Sequence, residues 1–452
     1  MDQHPSLYAL SPLDGRYAKI TAPLRNYFSE AALIKSRLQI EVKYLISLSK
    51  IGVVRKITKQ EKIIMVRAVR EPPLHHIKDI EQTTHHDVKA IEYYLQEIFQ
   101  PTTLKDLIPF IHFALTSEDV NNLCYRLMVK NAHDKIMLPQ LTSVICNLSS
   151  MISENAALPM LARTHGQPAI PTTLGKELSV FGHRLLGIMQ SAPTFTGKLN
   201  GAVGSYHAHT IAIPKINWPA FSAKFIRSLD LTPNPCTTQI NPPDDLVQLF
   251  QQFHLINSIL IGLCQDLWRY ISDDWLMQKG KKGYVGSSTM PQKINPIEFE
   301  NAEGNLTLAN GLFDTLIRKL PISRLQRDLS DSTVMRNLGV AFGHCLVAYH
   351  SLARGLHTLS PNRPKITADL NTNYAILGEA LQTVLRHRGQ ADAYESVAQA
   401  FKQKVITQAD WRKLVKPLAP ELIDLTPATY LGLSTQIAKS VSKKIAKWCR
   451  DR

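Results

Sequence analysis

Strand-like alternation of apolar and polar residues is nearly absent from this 452-residue chain, which argues against a sheet-based fold. No run of about 18 consecutive apolar residues occurs, so no membrane-spanning helix is expected. The N-terminus carries Asp2, Asp14 and Arg16 and lacks the apolar core of a secretory signal, and a cytoplasmic location is expected. Cysteine is sparse: Cys124, Cys146, Cys236, Cys264, Cys345 and Cys449 are widely scattered with no C-x-x-C spacing. That pattern predicts free buried thiols in a reducing compartment. The 16 histidines include His75-His76, His85-His86 and His207-x-His209, but none has the i, i+4 helical spacing with glutamate that a zinc protease needs. No metal site is expected. A phosphate loop needs lysine directly before serine or threonine, and a nucleophile elbow needs Gly-x-Ser-x-Gly. The glycine-bearing stretch Gly280 to Ser288 satisfies neither.

What is present is helical period. Leu33, Ile34, Leu38, Val42, Leu45 and Leu48 form one stripe between Phe28 and Ile51, and Ile91, Leu95 and Ile98 another between Val88 and Phe99. Thr116-Ser-Glu-Asp119 reads as a helix start, and Pro139 is expected to kink or interrupt the helix that follows. After Pro242-Pro-Asp-Asp245, apolar steps of three and four run from Leu246 to Ile271, about seven turns or about 40 Å. A helix that long predicts a bundle of long helices completed by other subunits. Residues 297–319 and 332–359 repeat the pattern, and Leu433, Ile437, Val441, Ile445 and Trp448 share one face of a last helix. The only strand pair expected lies in 197–214. The fold class is therefore all-α, and prolines 101, 109, 361 and 364 divide the chain into 1–109, 110–360 and 361–452.

The net charge of +15 admits nucleic acid, an anionic small molecule or plain solubility. The densest basic cluster, Lys439, Lys443, Lys444 and Lys447, has no interleaved aromatic residues, so a solvated helix face is expected and no nucleic-acid partner. Within the stretch from Gly280 to Asn301, the loop glycines Gly280, Gly283 and Gly286 predict a lid, and Asn295-Pro296 a capped helix start. Ser287 and Ser288 lie between them with Lys293 nearby, and a serine becomes a useful base only where its anion is stabilised by such cations and N–H groups.

Gly286-Ser-Ser-Thr-Met-Pro-Gln-Lys-Ile-Asn-Pro296 resembles the signature of the fumarase/aspartase superfamily. Ser11–Tyr17, Thr83–Lys89, Phe110–Asp119 and Arg163–Pro168 are similar to its bacterial adenylosuccinate lyase branch. The resemblance implies three helical domains, a homotetramer with active sites shared between subunits, and fumarate release from a small-molecule nucleotide by C–N β-elimination, with no metal and no organic cofactor. It implies Ser287 as base, His165 as acid, Glu300 as the residue orienting that histidine, and His86 as a second active-site histidine. The branch has asparagine or serine where this chain has His85, so which of the two rings matters is open. Lys293 and Asn295 are implied at the substrate carboxylate beside Ser288. Arg16, Tyr17, Arg327, Ser332 and Arg336 are implied at the nucleotide, with Asp87, Thr116, Ser117, Gln239, Asn301 and Thr333 as further contacts. Arginine suits that task because its planar fork binds phosphate or carboxylate through two hydrogen bonds. Sister lyases such as argininosuccinate lyase or fumarase share the 286–296 signature but not the other blocks. A non-catalytic relative would not need intact Ser287, Lys293 and His165.

Overall fold

The computed structural model describes residues 7–279, 290, 292–402 and 405–452. Ser287, Ser288 and the glycines 280, 283 and 286 lie outside them. The all-α expectation holds: the described elements are helices apart from six short strands. The stripes become Glu30–Lys50, Asp87–Phe99, Ser117–Ala132, Asp244–Ser272, Ile297–Lys319 and Leu338–Thr358. Local chemistry sets several starts. The Ser29 side chain accepts the Ala32 N–H at 3.1 Å, and Thr58 and Glu61 cap Lys59–Arg70 reciprocally.

The chain divides into two compact units. The first comprises residues 1–139, 192–255 and 307–347. Its interior includes a ring cluster in which Phe342 meets Phe28, Phe253 and Phe313 at centroid separations of 5.4, 5.1 and 5.4 Å. The second comprises residues 140–191, 256–306 and 348–452. Within it, residues 374–419 bury a cluster around Leu377, Leu381, Trp411 and Val415.

The structure refines four expectations. The disturbance expected at Pro139 takes the form of a π-helical turn at His133–Met137 just before it, after which the α-helix resumes as Leu138–Glu154. The wider turn shifts the register where the proline ring and missing N–H would disturb an α-helix. Second, β structure is not confined to 197–214. Pro159–Thr164 and Gln167–Thr173 form an antiparallel hairpin, and His207–Ala212 is a short helix. The hairpin strands contain three prolines and a register shift instead of clean alternation, so their period was unreadable. Third, where no membrane-spanning helix was expected, two helices, Ser117–Glu154 and Asp244–Ser272, are long and apolar enough to cross a membrane by length and composition alone, a test that buried core helices also pass. Interspersed polar residues broke the uninterrupted run, and 44% and 50% of the two windows is buried within the protein.

Fourth, the cysteines are not all free. Cys146 and Cys449 form a disulfide, Cys236 is exposed, and Cys124, Cys264 and Cys345 are buried thiols. The bridge ties Ser434–Arg450 to Leu138–Glu154 across 303 residues of sequence. Ser149 and Ser442 reinforce it, each donating its hydroxyl to the other's carbonyl at 3.3 and 3.2 Å. Closing so long a loop contributes on the order of 2–5 kcal/mol. Reductant is therefore expected to lower the thermal midpoint of the native protein, and Cys449→Ser to lower it equally and abolish the reductant response. Scanning fluorimetry with and without dithiothreitol checks this.

Candidate active site

In the first unit, several chain segments line one cavity of about 990 Å³. His85, His86 and Asp87 come from the junction between helices Leu74–Thr84 and Asp87–Phe99. Thr116 and Ser117 come from a helix start, Gln239 from a loop, and Arg327, Ser332, Thr333 and Arg336 from the segment around helix Ser330–Met335. These predicted residues are distant in sequence, and the fold gathers them.

The junction is shaped by backbone and side chain together. His85 ends its helix in the left-handed region, φ 53°. His86 then caps the next helix, its Nδ1 accepting the Lys89 N–H at 3.1 Å. That makes Nδ1 an acceptor and puts the proton of the neutral ring on Nε2. Asp87 is held at 2.6 Å by Arg37, whose side chain is 4% exposed, with Arg336 at 3.8 Å. Burial pushes the Asp87 carboxyl up, but the charges of Arg37 and Arg336 and the Val88 N–H outweigh it and hold it below the usual range.

The arginines sort into two kinds. Arg37 and Arg126 are buried and committed: Arg37 also donates to Asn121 at 2.9 Å, and Arg126 grips Asp245 through Nε and Nη2, both at 3.1 Å. Arg327 and Arg336 retain exposure at the cavity, 14% and 53% of their side chains. Arg327 pairs with Glu118 at 3.1 Å and reaches Ser332 Oγ at 3.4 Å. Burial pushes the Glu118 carboxyl up to about 7, against the opposing pull of Arg327. Arg16 is exposed, and neither it nor Tyr17 lines the cavity.

Sequence reasoning missed Arg37, Glu118 and Arg126. Its one signal for Arg37 was a charge at a stripe position between Ile34 and Leu38. A charge on an apolar face reads as a buried, paired group.

The second unit holds other predicted residues. His165 sits exposed at the tip of the Pro159–Thr164/Gln167–Thr173 hairpin. Thr164 pairs with Gln167, so His165 and Gly166 form a two-residue turn with φ 52° and 73°. Both values are positive, as this turn class requires, which explains a glycine directly after the histidine. Glu300, exposed in the first turn of Ile297–Lys319, accepts the Trp268 indole N–H at 3.1 Å. Asn301 Oδ1 accepts from Ser351 Oγ at 2.9 Å. Lys293 is exposed and Asn295 half-buried just before that helix. Among the described residues, no group of three or more His, Cys, Asp or Glu is placed to hold a metal ion.

Comparison with known proteins adds the family. The fold is similar to that of the fumarate lyase from Mesorhizobium sp. BNC1, with a TM-score of 0.76 at 17% identity over 93% of this chain and 97% of that one. The family model described as Lyase matches residues 15–311, so the chain belongs to the lyases that this model defines. A second model, described as Adenylosuccinate lyase C-terminal, matches residues 323–431. The adenylosuccinate lyase of Legionella pneumophila is 44% identical over 97% of this chain and 99% of its own length. That of Haemophilus influenzae is 43% identical over 97% and 100%. The chain belongs to the adenylosuccinate lyase family.

Proposed function

We propose that the protein cleaves adenylosuccinate to AMP and fumarate, and succinylaminoimidazole carboxamide ribotide to the carboxamide ribotide and fumarate. The observation that carries this reading is the cavity that brings His85–Asp87, Thr116–Ser117, Gln239 and the Arg327–Arg336 segment together. Arg327 and Arg336 supply the fixed cations that a phosphate or carboxylate needs, and His86 a donor from Nε2.

Three tasks define the chemistry. A base removes the proton from the carbon beside a carboxylate, the charge gathering on that carboxylate is stabilised, and an acid protonates the departing nitrogen. The electron pair left by the proton becomes the double bond of fumarate, and the C–N electrons leave with nitrogen. By family resemblance Ser287 is the base and Ser288 a neighbouring contact. Lys293 and Asn295 face the carboxylate, and His165 is the acid, with Glu300 as its orienting residue. The exposed position of His165 on a two-residue turn supports the acid role, since its ring is open to a bound molecule. Arg16, Tyr17 and Asn301 remain contacts in the same reading.

The exposed tip also supports a shared site, completed when subunits associate as a homotetramer. Leu255, Trp268 and Leu308 on the long helices, 48%, 43% and 57% exposed, are apolar surface of the kind subunits cover. The division into 1–109, 110–360 and 361–452 is part of the reading, supported by the separate apolar cluster within 374–419. Action in the cytoplasm follows from the nucleotide substrate.

The test is direct. Purified protein is mixed with adenylosuccinate, and ultraviolet absorbance follows AMP and fumarate release, with argininosuccinate and malate run in parallel. Conversion of adenylosuccinate alone is expected. Turnover of either rival alone would overturn the assignment.

A further inference from the structure

Lys198 is the least expected charge in the molecule. It is 0% exposed, and so is its partner Asp119, 3.2 Å away. Burial pulls the ammonium below its usual range, and the Asp119 charge opposes that pull. An ammonium has three protons to donate. Beyond Asp119, the Lys198 Nζ donates to the carbonyls of Gln239 at 2.7 Å and Gly201 at 2.9 Å. Asp119 is saturated as well. It accepts the backbone N–H groups of Thr116 at 3.0 Å, Asn200 at 3.0 Å and Gly201 at 3.1 Å.

The segments joined by this pair are cavity walls. Thr116 and Ser117, Ala202 and Val203, and Gln239 all line it. The Gln239 side chain itself donates to the Ala202 carbonyl at 3.2 Å. Gly204 has φ 79°, and a Cβ there would lie 2.2 Å from the Thr237 carbonyl oxygen, so the two loops run in backbone contact. A hydrophobic pair of similar volume usually matches a buried ion pair in stability. Stability alone therefore does not account for a desolvated ammonium whose donors end on backbone carbonyls of two different loops.

We infer that Lys198 and Asp119 are positioning residues that lock the three backbone segments of the cavity wall into their substrate-binding arrangement. Neither touches the cavity. Lys198 supplies donors to the Gly201 and Gln239 loops, and Asp119 supplies acceptors to the Thr116 helix start and the Asn200–Gly201 turn. The inference rests on the cavity being the nucleotide site.

The experiment compares Lys198→Met with the double variant Lys198→Met/Asp119→Asn. It measures thermal midpoint, AMP affinity by calorimetry, adenylosuccinate kinetics and backbone hydrogen exchange. The single variant strands a buried carboxylate and is expected to be destabilised. The double variant removes both charges and is expected to regain most of the midpoint, while KM and the AMP dissociation constant stay raised by about 10- to 100-fold, as displaced contacts would give. Exchange is expected to accelerate around 116–119, 200–204 and 237–241 and not elsewhere. Native AMP affinity in the stable double variant overturns the inference, and so does unchanged exchange in those three segments. Native protein that neither binds AMP nor turns over adenylosuccinate removes the functional reading, while the exchange pattern still decides the positioning role.

Discussion

Replacing His165 with asparagine is expected to lower kcat on adenylosuccinate by about 10²- to 10⁴-fold, the range of a lost general acid. The fold should not register the change. His165 is exposed at the tip of its hairpin, and asparagine is among the residues that adopt the left-handed backbone this position requires. Exposed substitutions away from packed features fall within about 0.5 kcal/mol of native stability. The paired strands Pro159–Thr164 and Gln167–Thr173 keep their register. The measurement is a kinetic comparison beside a denaturant melt. Near-native kcat would remove His165 from the acid role. A loss of activity that tracks a loss of stability would make the residue structural.

The second large effect concerns Glu118 and Arg327. In the free protein the carboxyl of Glu118 pairs with the guanidinium implied at the nucleotide. The groups acting on that carboxyl are Arg327, Asp331, Arg126 and Lys198. Arg126 is committed to Asp245 and Lys198 to Asp119, so Arg327 is the partner a ligand can draw away. With the carboxyl titrating at about 7, roughly half the molecules carry a neutral Glu118 near neutrality. An anionic substrate competes with ionised Glu118 for Arg327 and binds best when Glu118 is protonated. KM is therefore expected to rise with pH from 7 upward, approaching about tenfold per pH unit for one linked proton. Binding should take up a proton. Glu118→Gln should flatten the KM profile across pH 6–8.5 and abolish the uptake, read by calorimetry in two buffers of different ionisation enthalpy. Parallel KM profiles in the two proteins would reject the linkage.

The raised Glu118 carboxyl also acts on stability. Its folded value lies above the ordinary carboxyl value of 4.5, so the native state holds the proton more tightly than the unfolded chain. The contribution is fully present below that ordinary value and is lost as pH rises through about 7. A tenfold gain in proton affinity is worth about 1.4 kcal/mol, so the loss is on the order of 3 kcal/mol and should be absent in Glu118→Gln. Denaturant melts of the two proteins between pH 4 and 8 check this.

The helices were legible because burial imposes a period that local sequence must follow. Asp244–Ser272 matches the expected span within a residue or two, since its apolar steps are unbroken and Ser272 ends them. The C-terminal stripe was less faithful: Ile445 is buried, but Leu433 and Ile437 remain 61% and 45% exposed at the start of that helix. The cavity was half legible. Residues with recognisable local motifs, such as His85–Asp87 and Thr116–Ser117, could be named without knowing what they face. Residues whose meaning depends on a distant partner could not. Arg37 needs Asp87, Arg126 needs Asp245 and Lys198 needs Asp119, pairs 50, 119 and 79 positions apart in sequence. The Cys146–Cys449 bridge was hidden for the same reason.

Sequence by itself determined the helical class, the long central helices and the family, because period and contiguous motifs are local properties of the chain. Tertiary structure alone decided which charges are buried in pairs, which arginines stay open to a ligand, and which cysteines meet. Those outcomes depend on desolvation and on distances between segments far apart in the chain, and only the folded arrangement sets either.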